Sequence, residues 1–281
     1  MKTVKKLLKT IVGDRLLLAG CIGIVILLFV VVAAPLITQY DAKFFGPDVL
    51  FAPGSEGHFL GTNHLGQDIW SMLIYGTRTS LMVAVVSAFI SGLLGIIIGG
   101  IAGFFGGWVD RIISEIINVF LMIPTLFLVL LIVAMFGSSI LNIMIVIGLT
   151  SWPSNAKLMR AQALSLRERT FVKSAQAMGE NRRQILMKYI IPNGVFPVIA
   201  QTTMSMANAI LMEASLSFLG LGDPTVISWG QMVYDGKQYL TTAWWIAAFG
   251  GIAIVLTLFV FYLTGDGLNH VLNPKHGKAG E

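Results

Sequence analysis

"FLMIPTLFLVLLIVAMFGSSILNIMIVIGLTSW", residues 120–152, is either one overlong apolar helix or two helices that turn back at Gly137-Ser138-Ser139. The two readings differ by one membrane crossing, so the choice sets the side on which everything downstream emerges. Charge decides it. Residues 155–193 carry eight basic side chains, namely Lys157, Arg160, Arg167, Arg169, Lys173, Arg182, Arg183 and Lys188. Such residues collect on the cytoplasmic side of a membrane, so this segment belongs on the same side as the lysine-rich start, "MKTVKKLLKTIVGDR". An even number of crossings must separate the two, and the turn supplies the fourth.

Outward from that stretch, residues 16–37, 80–105, 194–219 and 243–264 each offer the roughly 20 apolar residues needed to cross about 30 Å of hydrocarbon. The expectation is an all-α membrane protein with six transmembrane helices and cytoplasmic N- and C-termini. Composition agrees. Of 281 residues 56% are hydrophobic and 12% charged, against about 25% charged in a soluble domain. The apolar run after the basic start is too long for a signal peptide, and no small-residue cleavage site follows it, so it reads as a retained span. Cys21 is the only cysteine, which excludes a disulfide framework within the chain. Sixteen of the 19 basic residues fall inside, and only Lys43, Arg78 and Lys237 fall outside. That asymmetry accounts for the net charge of +5 as a membrane partition and leaves no nucleic-acid groove.

The division expected is a first span with its outer loop (1–78), a core of five spans with a cytoplasmic loop at 155–193 (79–270), and a cytoplasmic tail (271–281). Residues 38–78 form an acidic, glycine-rich outer loop, and 110–118 an amphipathic joint between spans two and three. The fourth span is the weakest, ending at Trp152-Pro153. Trp244-Trp245 reads as an interfacial belt.

No GxxxxGK[ST] phosphate loop, HExxH or GxSxG occurs, so nucleotide or hydrolytic chemistry in this chain is not expected. His58 and His64 share the outer loop with Glu56 and Asp68, and Asp266 and His270 are four residues apart; each pair has metal-ligand spacing, but solvated, capping or interfacial roles are the plainer reading, and no metal site is assigned. Glu213 falls inside the fifth span, where a central charge costs roughly 2.5–3.5 kcal/mol. It shares a helical face with Thr202, Met206, Ala209 and Ser217. Two readings stay open: a translocation route, with Gln201, Ser205, Asn208, Met212 and Glu213 as path candidates, or a hydrogen-bonded glutamate that locks helix packing.

In "FVKSAQAMGENRRQILMKYIIPN", residues 171–193, two helical pieces flank Gly179, and Pro192 closes the second. Ile185, Leu186 and Tyr189 fall on one side and Arg182 and Arg183 elsewhere. Such a helix suits docking into a soluble partner or rest on anionic headgroups.

This segment resembles the signature loop of permease subunits of binding-protein-dependent ABC importers, Glu-Ala-Ala, three residues, Gly, then an Ile-x-x-Pro-like end; here it reads Lys173-Ser174-Ala175, Gly179 and Ile190-Ile191-Pro192-Asn193. "LGTNHLGQDIWSMLIYGTRTSL" (60–81), "EASLSFLGLGDP" with "SWGQM" (213–232) and "GDGLNHVLNPK" (265–275) are similar to three further stretches of the peptide/nickel subfamily, in its second, C-type permease. The departures are Lys173 for the leading Glu, Tyr189 for a usual His, and Asn63, Gln67 and Met72 for the common Asp, Arg and Arg. The resemblance implies a type I ABC importer permease fold and a non-catalytic subunit. It also implies partners: a second, unlike permease, two ATP-binding subunits that hold ATP and Mg, an extracytoplasmic solute-binding protein, and membrane lipid. Its coupling helix would be Lys173, Ser174, Ala175, Ala177, Met178, Gly179, Glu180, Arg182 and Arg183, with docking carried by Ala175 and Gly179, the glycine admitting an angle that a Cβ would obstruct. Similar permeases serve di- and oligopeptides, nickel or its chelates, and some oligosaccharides; peptides are favoured here. The alternatives are a self-sufficient secondary carrier, for which no inverted repeat is visible, and an intramembrane enzyme using Glu213, Asp266 and His270.

Overall fold

The computed structural model describes residues 12–55 and 57–272. The lysines at 2, 5, 6, 9, 275 and 278, together with His276 and Glu56, lie outside the described residues. Among the described residues the regular structure is all helical apart from two isolated bridges in the outer loop. In order, the helices are α1 (Arg15–Ile37), α2 (Ile69–Phe105), α3 (Gly107–Met122), α4 (Thr125–Phe136), α5 (Ile140–Arg167), α6 (Thr170–Ala177), α7 (Arg182–Ile185), α8 (Ile191–Phe218), α9 (Trp229–Gly236) and α10 (Trp245–Leu272).

The turn expected at 137–139 is present. Gly137 adopts φ +95, and Ser139 caps α5 by accepting from the Asn142 backbone N–H. Asn142 Nδ2 donates back to the Phe136 carbonyl at 2.9 Å, and Asp223 accepts from the Ile140 N–H at 2.9 Å. Antiparallel packing then buries Val129 and Val133 of α4 against Ile143, Met144 and Ile147 of α5.

The third and fourth spans differ from expectation. Pro124 breaks the third, and α3 meets α4 at a bend of 85°. Twelve residues of α4 rise about 18 Å, short of the hydrocarbon thickness. The α5 helix has the length, but Thr150, Ser151, Ser154 and Asn155 dilute its apolar character. By length and composition four helices of the described residues can cross a membrane (α1, α2, the continuous run Arg182–Phe218, and α10), or five if the bent pair counts as one. The six-span count is therefore not met by apolar length alone.

At the centre α2 packs along α5 with their backbones close together. Gly95, Gly99 and Gly103, one helical turn apart, face Asn155, the Ala156 carbonyl and the Arg160 carbonyl, and a Cβ at any of the three would collide. Lipid supplies no hydrophobic drive between helices, so close approach through small residues takes its place. Buried polar groups finish the contact, with Asn155 Nδ2 donating to Ser91 Oγ at 2.8 Å and Ser87 Oγ to the Met144 carbonyl at 2.9 Å. The α1 helix lies against α10, where Gly20 meets the Thr264 backbone and Gly267 the Leu17 backbone.

Candidate functional site

The basic segment begins as a short helix seated on the bundle. Val172 and Ala175 of α6 are buried with Phe104, Met159, Ala163, Ile185, Leu186 and Ile190. The opposite face is open, with Lys173, Ser174, Ala177 and Met178 exposed, Met178 at 73%. The helix ends in a Schellman closure: the Glu180 N–H donates to the Ala175 carbonyl at 3.1 Å and the Gly179 N–H to the Gln176 carbonyl at 3.0 Å. Gly179 has φ +81, and a Cβ there would meet nothing within 4 Å. Its requirement is thus the left-handed backbone, which disfavours a side chain for torsional reasons, rather than the obstruction expected from sequence. Ala175, at 1% exposure, seats the loop and offers no docking surface.

Lys173 pairs with Glu168, Nζ to Oε2 at 3.1 Å, within the same loop. Asn181 caps α7. The helix is not closed by Pro192; a π turn, Leu186–Ile190, carries α7 into α8, and Pro192 sits in the first turn of that helix, where its missing N–H costs little. Tyr189 projects from the π turn and its hydroxyl donates to Glu180 Oε1 at 2.9 Å. A cavity of about 520 Å³ lies between this loop and the end of α2, lined by Phe104, Arg167, Lys173, Glu180 and Arg182 among others.

One continuous helix therefore runs from the exposed loop into the membrane, and its inner face reaches a second cavity of about 340 Å³. Gln201, Ser205, Asn208 and Met212, four of the five path candidates, line it from α8; Thr125, Thr150, Ser151 and Ser154 face them from α4 and α5. The lining is hydroxyls, amides and apolar groups with no ionisable side chain. Such a wall accommodates a polar solute without trapping a charge. The residues on the α5 side were not anticipated, although the signal was present: the hydroxyls that weaken the fourth span are those that face the cavity.

Glu213 does not face it. At 2% exposure its Oε1 accepts from Ser217 Oγ at 2.8 Å and from Ser228 Oγ at 2.7 Å, next to Gly230 of α9. This geometry is that of a packing group, tying α8 to the first residues of α9.

On the outer side, Asp68 caps α2 through the Ser71 N–H at 2.8 Å and pairs with His58 Nδ1 at 2.9 Å; His58 Nε2 stands 3.6 Å from Asp48. His64 is elsewhere, stacked on Tyr239. Among the described residues no group of three or more ligating side chains converges. His270 pairs with Asp14, the cap of α1, at 3.4 Å, so the start of α1 and the end of α10 are joined there. Trp245 is buried and donates to the Thr62 carbonyl at 3.1 Å, leaving Trp244 alone on the surface. The three outer departures meet in one buried network, with Asn63 Nδ2 donating to Gln67 Oε1 at 2.8 Å and contacting Met72 Sδ at 3.5 Å.

Residues 95–278 match the family model described as binding-protein-dependent transport system inner membrane component. The chain is 41% identical over 263 residues to the dipeptide transport system permease protein DppC of Escherichia coli K12, covering 91% of this chain and 88% of that protein. It is 34% identical over 274 residues to the probable D,D-dipeptide transport system permease protein DdpC of the same strain, covering 97% and 92%. The glutathione transport system permease protein GsiD of Pectobacterium atrosepticum is 36% identical over 257 residues, covering 90% and 85%. Among solved structures, a chain of the inward-facing MetNI methionine ABC transporter shares the fold with TM-score 0.58 at 18% identity, over 72% of this chain and 96% of that one.

Proposed function

This chain belongs to the family of binding-protein-dependent transport system inner membrane components, a multi-pass, non-catalytic permease subunit of an ABC importer, and from that premise we propose that it forms half of a path for di- and oligopeptides. The other half comes from a second, unlike permease. Two ATP-binding subunits, which hold ATP and Mg, dock on the loop 168–190, and an extracytoplasmic binding protein delivers cargo. The six crossings are α1, α2, the bent α3–α4 pair, α5, α8 and α10, with both ends cytoplasmic.

The observation that carries this reading is the continuity of the helix Arg182–Phe218. A displacement applied at the exposed face of α6 and α7 has no flexible linker in which to dissipate, because the Schellman closure and the Tyr189–Glu180 bond stiffen the loop. It moves Gln201, Ser205 and Asn208 directly, and so opens or shuts the uncharged cavity. An uncharged polar wall suits a zwitterionic peptide better than a bare metal ion, which calls for converging ligands. The relatives' dipeptide and glutathione names support the same cargo class.

The test is purification of the chain from its native membrane in mild detergent, followed by native mass spectrometry and uptake of a labelled dipeptide by the reconstituted assembly. A complex with a second permease, two ATPase copies and a peptide-loaded binding protein is expected. Uptake that persists without any ATPase subunit would overturn it in favour of a self-sufficient carrier.

A further inference from the structure

Outside the membrane, a cavity of about 440 Å³ separates the loop 43–72 from α9 and the segment before it. Two of its lining groups are left electrostatically incomplete. The Asp235 carboxylate accepts one hydrogen bond, from Gln231 Nε2 at 3.1 Å, and forms no ion pair among the described residues. His64 Nδ1 is buried with no hydrogen-bond partner. Burial pushes the Asp235 carboxyl above the ordinary range, against the opposing pull of Gln231 and of His64.

The nearby cations are committed elsewhere. Lys43 Nζ donates to the Thr225 carbonyl at 3.1 Å, and Lys237 Nζ donates to the Phe218 carbonyl at 2.8 Å while lying 4.1 Å from the Tyr234 ring centre. Beyond Lys43 the facing wall supplies no lysine or arginine, and its Asn63, Gln67 and Met72 network is neutral. A half-buried carboxylate with no ion-pair partner, beside an imidazole nitrogen that has no hydrogen bond, in an open cavity, matches one chemistry. A protonated primary amine brings a positive charge and three donors, and a hydrogen bond involving charged partners is about twice as strong as a neutral one.

We propose that this cavity binds a protonated primary amine, with Asp235 as its counter-ion and His64 Nδ1 as a second acceptor. The ammonium group has two possible sources, the free amino terminus of a peptide cargo or a lysine of the binding protein. Naming those sources rests on the transport reading above; amine binding itself does not.

Two experiments separate these layers. First, the purified full-length chain is unfolded thermally with glycinamide or with N-acetylglycinamide at pH 7, where the former is largely protonated. Glycinamide is expected to raise Tm by about 1–3 °C at saturating concentration, and the acetylated probe not to. Asp235→Asn should weaken amine affinity about tenfold or more, the loss of one charge-assisted bond. His64→Phe, which keeps the stack on Tyr239 and removes the acceptor, should weaken it severalfold and carries the test if the first variant folds poorly. Equal shifts with both probes, or undiminished glycinamide binding in both variants, overturn the proposal.

Second, the assembled importer is assayed. A raised KM for a free-amine dipeptide with unchanged kcat in Asp235→Asn places the amine on the cargo. Weaker docking of the empty binding protein places it on that protein's lysine. If neither changes, a role for this cavity in the transport cycle is overturned, whatever the first experiment showed.

Discussion

The two ends of the molecule are built by opposite means. The outer side is closed by buried side-chain bonds within the loop and to the bundle, His58 to Asp68, Asn63 to Gln67 and Trp245 to the Thr62 carbonyl, while Trp229 of α9 donates to the Leu73 carbonyl of α2. The inner loop is held by a small apolar seat, Val172, Ala175 and Ile185, and by backbone closure at Gly179. Apart from the Tyr189–Glu180 and Lys173–Glu168 pairs, its polar side chains face outward. One end spends its hydrogen bonds on itself, and the other leaves cations and Met178 facing solvent for another protein to cover. Substitutions outside should therefore cost stability, and substitutions inside should cost transport with the fold intact.

The largest effect expected is at the junction of both, where Gly99 faces the Ala156 backbone. Gly99→Leu forces two packed helices apart along their whole contact and should leave no folded protein recoverable in mild detergent, assayed by size-exclusion chromatography. A monodisperse peak would show that α2 and α5 do not depend on their close approach.

The comparison is then put directly. Asp68→Asn removes the charge from an N-cap that also holds His58, and should destabilise by about 2 kcal/mol, a Tm loss of several degrees. Uptake per folded complex should be little changed. Gly179→Leu does the reverse. A side chain in the left-handed region costs about 1–2 kcal/mol, which local opening of the loop absorbs, so Tm should barely move while dipeptide uptake is abolished. Gly179→Asn, better tolerated at that backbone geometry, should retain much of the uptake. Equal losses of Tm in the inner and outer variants would erase the distinction between the two ends.

How far the sequence foretold this contrast depends on the kind of signal. The turn at Gly137 was legible only through the charge of the segment after it, which fixes that segment's side of the membrane, and the exposed basic loop was legible because its lysines and arginines are a local feature. The break at Pro124 was equally local, but the third apolar run around it masked the proline. The π turn at 186–190 has no compositional mark, since it is only a shift of the hydrogen-bond ladder by one residue. Nor was the meeting of Asn63, Gln67 and Met72 legible, because it follows from a chain reversal at Gly66, where φ is +71. Within the membrane the period of 3.6 put Thr202, Met206, Ala209 and Ser217 on the face of Glu213, whereas Gln201, Ser205, Asn208 and Met212 line the cavity; which side of α8 faced it depended on where α5 packed. Glu213 went the other way for that reason.

The smallest effect lies at the inner end of the bundle, where Asp110 of α3 meets Arg160 of α5 through two hydrogen bonds, the Nη2–Oδ2 one at 2.7 Å. Arg160→Met should be less stable than the parent by roughly 1 kcal/mol at pH 7, given that both groups keep some solvent contact. In an Asp110→Asn background the same substitution should cost little, because the charge it pairs with is already gone. A loss of the same size in both backgrounds would mean that the arginine acts through packing of its stem, and that the joint between α3 and α5 is apolar like the seat of the inner loop.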